Sequence, residues 1–535
     1  MSHHAPKTLT EMDTAVLGEK AWPLFYKLIV AALAGLIVAA IAAPFTEGGW
    51  KRLGFAYLIG YAFALAIALG CFFFVIITTL FRAGWCVAFR RVPETIAASM
   101  PTMGVLAVPV LIMAFLSGAD SYIYPWSQAG IHKEGKHLVE HSPEVKDFGG
   151  GEAGHGGDHH EDGETPDDAA GGHAAAEAPL VQFVADKPEG QTGHGDDHAA
   201  DHAGAHGDEH AEAHHGDHHA WTHTAEGWGD HSHATPYFVY KKGMWYTPLF
   251  WVVRLVFYIA VWSLIAGFFW KRSVMQDEDG DVEHTHKREW WAPLSVAIFA
   301  LTVTMASFDL ILSLDPVWYS TMYGVYFFAG CFTAGLCTII ITLMLAQRAG
   351  YFPAVTAEHF HDLGKLLFAF VFFWGYVGFS QFMLIWYASL PETTYWWEIR
   401  GVTSVSGDGL QAAPPTFGGP WTVVSWTLLF AHLLLPFAIL LSKHVKRNRT
   451  ALFTMACWML TLCYVDLYWV IMPSFSSPDL LFGLPEIGCL VFCVGVLLAQ
   501  SLRRAKDHRL AAHRDPRMYE SLGLDTSAWA PLYHK

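Results

Sequence analysis

The sequence predicts an all-α, polytopic membrane protein with ten transmembrane helices. Of its 535 residues, 53% are hydrophobic and only 15% are charged. The apolar residues come in ten runs of about 20, the length that a helix needs to cross ~30 Å of hydrocarbon. Trp and Tyr stand at the ends of many runs, as expected at membrane interfaces. The first 21 residues are polar and the first run lacks a small-residue cleavage site, so we expect no cleaved signal peptide.

The ten runs divide the chain into five parts. Residues 1–21 form a polar N-terminal tail, 22–117 the first three helices, 118–243 a long loop, 244–502 the other seven helices and 503–535 a C-terminal tail. The predicted helices cover residues 22–44, 54–81, 96–117, 244–270, 289–313, 318–346, 364–390, 420–442, 450–472 and 480–502.

The basic residues predict the orientation of these helices. If both termini are cytoplasmic, 22 of the 33 Lys and Arg residues fall on the cytoplasmic side and nine fall outside. The other two, Lys27 and Arg254, lie within helices. Because cytoplasmic loops carry the excess of positive charge, we expect both termini in the cytoplasm and the 118–243 loop outside.

The 118–243 loop is rich in Gly, Ala, Asp, Glu and His and has almost no aliphatic residues that could form a core. We expect it to be largely disordered. Its acidic residues account for the net charge of −16, so the charge of the chain does not indicate a nucleic-acid partner. The loop holds 19 of the 30 histidines, and such tracts bind Zn²⁺, Cu²⁺ or Ni²⁺ weakly. A solvated insertion is favoured over physiological metal handling.

The cysteine and histidine patterns indicate that the chain binds no redox cofactor. All eight cysteines lie in or at the ends of apolar runs, without a CxxC pair, and are expected to be small buried hydrophobic residues. An iron–sulfur site would need clustered thiols, and a bis-histidine haem would need two facing histidines. Only His432 lies deep in an apolar run. The sequence defines neither catalytic residues nor a metal site.

A few ionisable residues lie inside the predicted helices, where they are costly and therefore mark functional sites. Arg254, Asp309 and Asp466 are all placed in the outer half of the membrane by the predicted topology. One hypothesis is a buried ion pair between Arg254 and either Asp309 or Asp466. The other is a proton path through Asp309, His432, Asp466 and Tyr464. Further hydroxyl and amide groups that could join such a path belong to Tyr323, Tyr326, Thr333, Tyr376, Ser380 and Gln381.

The segment after the seventh predicted helix is rich in aromatic residues. Between residues 393 and 400 it contains Tyr395, Trp396 and Trp397. On the outer side of a membrane, such a segment is expected to be an interfacial amphipathic element or a docking surface.

Seven strings of the sequence carry a resemblance to a known family. They are RAGWCVAFRR at 82–91, SFDLILSLDPVW at 307–318, GVYFFAG at 324–330, HDLGKLLF at 361–368, SQFMLIWYASLPE at 380–392, HVKR at 444–447 and VDLYWVIMP at 465–473. With these strings the chain resembles the F membrane subunit of alternative complex III, the quinol:electron-acceptor oxidoreductase of bacterial respiratory membranes. Its wider family is the NrfD/PsrC-like membrane anchors. The likeness covers nearly all ten helices, and the His-rich insert departs from it.

The resemblance implies an architecture and partners. It implies two four-helix bundles, helices 2–5 and 6–9, flanked by helices 1 and 10. It also implies a place in the bacterial inner membrane beside a sister NrfD-like membrane subunit, an iron–sulfur subunit and c-haem subunits. A terminal oxidase is a further candidate partner. In that complex the quinol site is usually assigned to the sister subunit, and no family motif here identifies quinone ligands.

The expected function is that of a cofactor-free membrane subunit of a respiratory quinol:cytochrome c, or other-acceptor, oxidoreductase. In this interpretation the chain contributes a proton path or a quinone-proximal surface and is not catalytic alone. Two alternatives remain open. One is a free-standing transporter, with a divalent metal as its substrate given the His-rich loop, and the other is a structural scaffold. A metal transporter should place His and Asp pairs on facing helices at the bilayer midplane, where this sequence offers only His432.

Overall fold

The chain folds as an all-α membrane protein, and the predicted fold class is confirmed. A computed structural model describes residues 9–115, 123–127, 131–141, 234–388, 391–402, 404–405, 412–413, 419–475 and 479–523. Within these ranges, ten helical spans are long and apolar enough to cross a membrane. Residues 142–233 lie outside the described residues, so the disorder and metal binding expected of the His-rich loop stay predictions.

The spans correspond to the ten predicted helices. Eight are single helices, namely α1 Trp22–Ala42, α2 Gly49–Leu80, α7 Pro248–Asp279, α8 Glu283–Leu310, α9 Tyr323–Arg348, α10 Ala357–Ala388, α15 Arg449–Ile471 and α16 Leu484–Ala505. The third span consists of α3 Arg91–Ala98 and α4 Met100–Phe115, and the eighth of α12 Pro420–Thr427, a π-helical segment Leu428–Leu434 and α13 Leu435–Leu441. Short elements connect the spans, namely α5 Ile131–His141, α6 Ala234–Lys241, α11 Pro391–Glu398, α14 Lys443–Arg447, α17 Met518–Leu522 and a two-residue antiparallel pair of β1 Ser404–Val405 with β2 Ala412–Ala413.

The helices group into two bundles of four and a flanking pair. In the first bundle, α2 packs against α3, α4 and α8, and α7 packs against α4 and α8. In the second, α9 packs against α10 and α15, and the eighth span packs against the same two helices. Helix α1 packs along α16, which lies against α2. This grouping is the one that the family resemblance implies.

The two bundles meet where α2 crosses α9. Nearly every residue of α2 is buried, because it touches both bundles and α16. At the crossing the backbones are in contact: a Cβ atom on Gly70 would lie 2.0 Å from the carbonyl oxygen of Cys331, and one on Gly335 would lie 2.5 Å from the carbonyl carbon of Gly70. Small residues allow this close approach between membrane helices.

The two ends of the structure carry different segments. One end, called the terminal face, holds the described ends of the chain, where Val16 pairs with Arg509 and the Gly18 amide donates to the Lys506 carbonyl. The opposite end, called the loop face, holds the connections from α4 to α7 and from α10 to α12. The even number of spans places both described chain ends on the same face.

One segment of the loop face differs from the sequence-based expectation, and another lies partly within the described residues. Helices α5 and α6 belong to the 118–243 range, whose predicted disorder stays a prediction because most of it lies outside the described residues. Helix α11 was expected to be an interfacial or docking element, but the side chains of Tyr395, Trp396 and Trp397 are all buried. Their aromatic surface faces the bundle because a buried arginine, Arg400, stacks on Trp396 there.

Candidate functional site

Asp466 is a buried acid in the loop-face half of α15. Its carboxylate accepts a hydrogen bond from the hydroxyl of Tyr326 on α9, and Trp374 of α10 donates its indole N–H to Oδ2 at 3.3 Å. Among the described residues, no basic side chain lies within salt-bridge distance of this carboxylate. An isolated carboxylate is costly in low-dielectric surroundings, so a group in this setting is suited to bind and release a proton.

A small cavity lies beside Asp466. Its volume is about 20 Å³, and its polar lining comes from Asp466, Tyr323 and Tyr326, with Gly330 leaving space next to the carboxylate. A cavity of this size holds one water molecule, and such a water needs two or more polar partners. Carboxylate and phenol groups around one water position form an arrangement through which a proton can move.

His432 extends this arrangement toward the middle of the membrane. Its ring packs against Trp374 with 4.0 Å between centroids, and its Nε2 lies 3.9 Å from the Cys463 thiol. The imidazole is completely buried, and its Nδ1 has no hydrogen-bond partner in the described part of the chain. The helix takes a π form here because Pro436 has no N–H to donate to the carbonyl of His432. Such π segments often occur at functional sites.

Tyr464 does not join this group. Its hydroxyl points to the carbonyl of Glu486 on α16, at 3.4 Å, and its ring packs edge-on against Phe63. Although Tyr464 is two residues from Asp466, it leaves α15 in another direction because successive helical positions are about 100° apart. The structure thus brings Asp466 and His432 together through Trp374, with Tyr326 as the hydroxyl partner in place of Tyr464.

Arg254 and Asp309 form a separate buried ion pair. Two guanidinium nitrogens of Arg254 on α7 donate to the two carboxylate oxygens of Asp309 on α8, at 2.7 and 2.8 Å. The Tyr258 hydroxyl donates to Oδ2 of the same carboxylate at 2.9 Å, and the guanidinium stacks on Trp245 at 4.0 Å. The Asp309 carboxylate is thus paired with the Arg254 guanidinium, whereas the Asp466 carboxylate has no basic partner among the described residues. We therefore interpret Asp309 as a structural acid and Asp466 as the candidate proton carrier.

Substitution of one partner of this pair is expected to destabilise the chain. Asp309→Asn would leave the Arg254 guanidinium buried without its counter-charge, at a cost of about 3–5 kcal/mol. Thermal unfolding in detergent should therefore show a clear loss of stability. The double variant Arg254→Gln/Asp309→Asn should recover most of it, and proton translocation by the surviving Asp309→Asn protein should be unchanged. An Asp309→Asn protein as stable as the unaltered chain would show that the ion pair does not stabilise the helix bundle.

A second charged group lies at the terminal face. This terminal-face cluster contains Arg90, Glu94, Arg288 and Asp515. Arg90 donates to Asp515 at 2.7 Å and to Glu94 at 2.8 Å, and Arg288 donates to Asp515 at 3.1 Å. All four side chains are buried. Asp515 belongs to the C-terminal tail, so the tail neutralises arginines that the helices supply.

Sequence reasoning missed several of these residues. Trp374, which connects Asp466 to His432, was not singled out, since nothing in the sequence relates α10 to α15. A buried pair between Arg52 and Glu486, at 2.8 Å, was also missed because the two residues are 434 positions apart. Arg90 and Glu94 have the i, i+4 spacing of a helical ion pair, which was the one available signal.

The fold and this group of residues define the chain as an all-α, multi-pass membrane protein with a buried acid that has no basic partner in the described part of the chain. Comparison with known proteins adds no closer identification. No protein-family model matches the chain, and no curated protein matches it. Among the described residues, no group of three or more His, Cys, Asp or Glu side chains is placed to hold a metal ion.

Proposed function

We propose that this chain is a proton-conducting membrane subunit of a respiratory quinol:acceptor oxidoreductase of the alternative complex III type. The observation that carries the proton part is Asp466, a buried acid without a basic partner among the described residues, next to a cavity of about 20 Å³. The strings at 82–91, 307–318 and 380–392 support the family part. The chain is proposed to bind no redox cofactor itself and to receive its driving force from partner subunits.

The proposed path occupies the loop-face half of the second bundle. It includes Tyr323, the cavity, Asp466 with Tyr326, and His432 beyond Trp374. Trp374 holds the two titratable side chains in place but is not itself expected to carry a proton, because the indole N–H is a donor only. We propose that a proton passes between His432 and Asp466 through water beside Trp374.

The terminal-face half of the same helices has few polar side chains that could continue the path. Most buried positions there are apolar, for example Leu367 on α10 and Ile340 on α9, and the buried polar residues include Thr338 on α9 and His359 on α10. Proton delivery from that side therefore requires water to enter between these helices. The excess of Lys and Arg at the terminal face supports the proposal that this face is cytoplasmic. The bacterial inner membrane is proposed from the family resemblance alone.

Membership of a complex is tested by purification from native membranes. The tagged full-length chain, solubilised in mild detergent, is expected to co-migrate with a second multi-pass subunit, an iron–sulfur protein and c-type haem. The purified assembly should oxidise a quinol. The measurement is native electrophoresis with haem staining and metal analysis. A homogeneous chain that migrates alone, without quinol oxidation in the fraction, would contradict the family part and favour a free-standing transporter.

Proton conduction is tested separately with Asp466→Asn. In sealed vesicles that contain the assembled protein, a pH-sensitive dye reports proton movement during turnover. Loss of proton movement with the assembly intact would support the proposal, and unchanged movement at unchanged turnover would end it for this residue.

A further inference from the structure

Arg400 is a completely buried cation on the loop-face side of the Asp466 cavity. It follows α11, and its relative exposure is 0%. Three backbone carbonyls hold the guanidinium: Nε donates to Trp469 at 3.2 Å, Nη1 to Trp396 at 2.8 Å and Nη2 to Val470 at 2.6 Å. The guanidinium carbon also lies 3.5 Å from the centre of the Trp396 ring. The position of the charge is therefore fixed by several contacts at once.

Arg400 differs from the other buried arginines of the loop-face half. Arg52 binds the carboxylate of Glu486, and Arg254 binds that of Asp309. Among the described residues, no carboxylate lies within salt-bridge distance of Arg400. Carbonyl dipoles and an aromatic face stabilise a cation but do not cancel its charge. The positive charge of Arg400 is therefore not neutralised by direct pairing with a carboxylate of the described residues.

The charge persists at neutral pH. Burial lowers the pKa of Arg400 to about 9, while the nearby Tyr323, Asp315 and Tyr326 favour the protonated form. At pH 7 the guanidinium therefore carries its proton.

Arg400 is next to the cavity wall. Val470, whose carbonyl accepts from Nη2, also lines the cavity together with Asp466 and Tyr323. Val470 is four residues after Asp466 on α15, so the two lie on the same side of the helix, one turn apart. The guanidinium therefore lies beside the cavity that borders the Asp466 carboxylate, on its loop-face side.

We propose that Arg400 is an electrostatic seal, a fixed positive charge that keeps protons of the loop-face aqueous phase from reaching Asp466. The seal rests on the proposed proton path and adds to it a residue that acts by repulsion, without accepting the proton itself. By Coulomb's law, one unit charge acting over about 10 Å at an effective dielectric constant of about 20 changes a rate roughly ten-fold. Loss of the Arg400 charge should therefore speed up proton entry by about that factor. The seal thus limits the passive leak through a subunit that must hold a proton gradient.

The test measures passive proton entry into liposomes that contain the full assembly and trapped pyranine. An external acid pulse is applied in potassium medium with valinomycin, so that charge movement does not limit entry. Proton entry should be slow in liposomes with the unaltered protein and roughly ten-fold faster in liposomes with the Arg400→Gln protein. Arg400→Lys, which keeps the charge, should stay close to the unaltered protein.

Two further variants connect the leak to the path. Arg400→Gln/Asp466→Asn should return the leak to the unaltered level, since a proton that enters has no acid to receive it. Arg254→Gln/Asp309→Asn is the matched control, because it removes another buried arginine from the same half without changing the net charge. No increase in leak is expected for this control.

Several outcomes would overturn the seal. They are a leak of Arg400→Gln no faster than the unaltered protein, an equally fast leak of Arg400→Lys, and a fast leak that persists in the double variant with Asp466→Asn. If Arg400→Gln does not accumulate, Arg400→Met replaces it, because an apolar residue of similar length tolerates burial better. Loss of both neutral variants while Arg400→Lys accumulates would assign Arg400 a structural role only.

The result is distinguishable from failure of the proposed function. If Asp466→Asn blocks proton translocation during turnover but Arg400→Gln does not leak, only the seal is wrong. If Asp466→Asn leaves translocation unchanged, the path itself is wrong.

Discussion

Asp466→Asn is expected to abolish proton translocation by the assembled protein while the chain remains folded. Asparagine keeps the shape of the side chain, and its amide oxygen can accept from Trp374 while its amide NH2 donates to the Tyr326 hydroxyl, but it cannot ionise. Because proton transfer by a positioned side chain contributes about 10²–10⁴-fold to a rate, the translocation rate should fall by at least about 100-fold. Thermal stability in detergent should be close to that of the unaltered protein, since no buried counter-charge is lost.

The comparison variants for Asp466 lie on the same helices. Asp466→Glu retains an ionisable group and should keep part of the activity. Tyr326→Phe removes the hydroxyl partner and should slow translocation without abolishing it. Tyr464→Phe is the matched control, because its hydroxyl points to the Glu486 carbonyl and not to the cavity, and no effect is expected. Acidification of reconstituted vesicles during quinol oxidation is the measurement. Equal translocation by the Asp466→Asn and unaltered proteins, at equal turnover, would contradict the proposal.

The second large effect is expected from Asp515, which neutralises Arg90 and Arg288 in the terminal-face cluster. Asp515→Asn leaves both guanidinium groups buried without this carboxylate, and Glu94 then faces three arginines, Arg90 at 2.8 Å, Arg288 at 3.5 Å and Arg91 at 3.6 Å. Removing one partner from a buried charge network costs about 3–5 kcal/mol. We therefore expect little folded protein to be recovered from membranes, as measured by size-exclusion chromatography in detergent. Truncation after residue 506, which removes the whole tail, should have the same effect.

A shorter truncation provides the control for the tail. Removal of 524–535 leaves every described contact of the tail in place, including the hydrogen bond from the Ser521 hydroxyl to the Trp85 carbonyl at 2.8 Å. This variant should accumulate and unfold like the full chain. Normal recovery and stability of Asp515→Asn would show that the cluster does not anchor the tail.

The ionisation of Asp515 predicts that the stability of the chain depends on pH. Burial alone would raise the pKa of Asp515, but Arg90 and Arg288 outweigh it and hold the pKa well below its usual range. A carboxylate with a lowered pKa in the folded state contributes stability above its unfolded pKa, about 3.9, and loses that contribution as the pH falls below it. The unfolding temperature of the solubilised chain should therefore decline as the pH falls below about 4.

The fold was predictable because each span must satisfy its backbone hydrogen bonds within one apolar helix. That requirement leaves a run of about 20 apolar residues visible in the sequence. The position of Arg254 and Asp309 at a similar depth in the membrane could be predicted for the same reason, because the ends of each apolar run fix the depth of its residues. The partners of Asp466 were not, because Tyr326, Trp374 and Asp466 come from three helices whose relative rotation depends on packing. The tail was missed because residues 507–523 are mostly polar and have no periodic pattern that would reveal a docking position.

The crossing of α2 and α9 limits how this molecule can move. Carriers that work by alternating access rock one half of the protein against the other and open a cleft first to one side of the membrane, then to the other. Here the backbones of the two halves touch at Gly70 and Gly335, without a layer of side chains that could slide. A rocking motion would have to separate this contact. The architecture therefore favours a rigid frame in which small local movements suffice for a proton, and it is poorly suited to carry a larger solute.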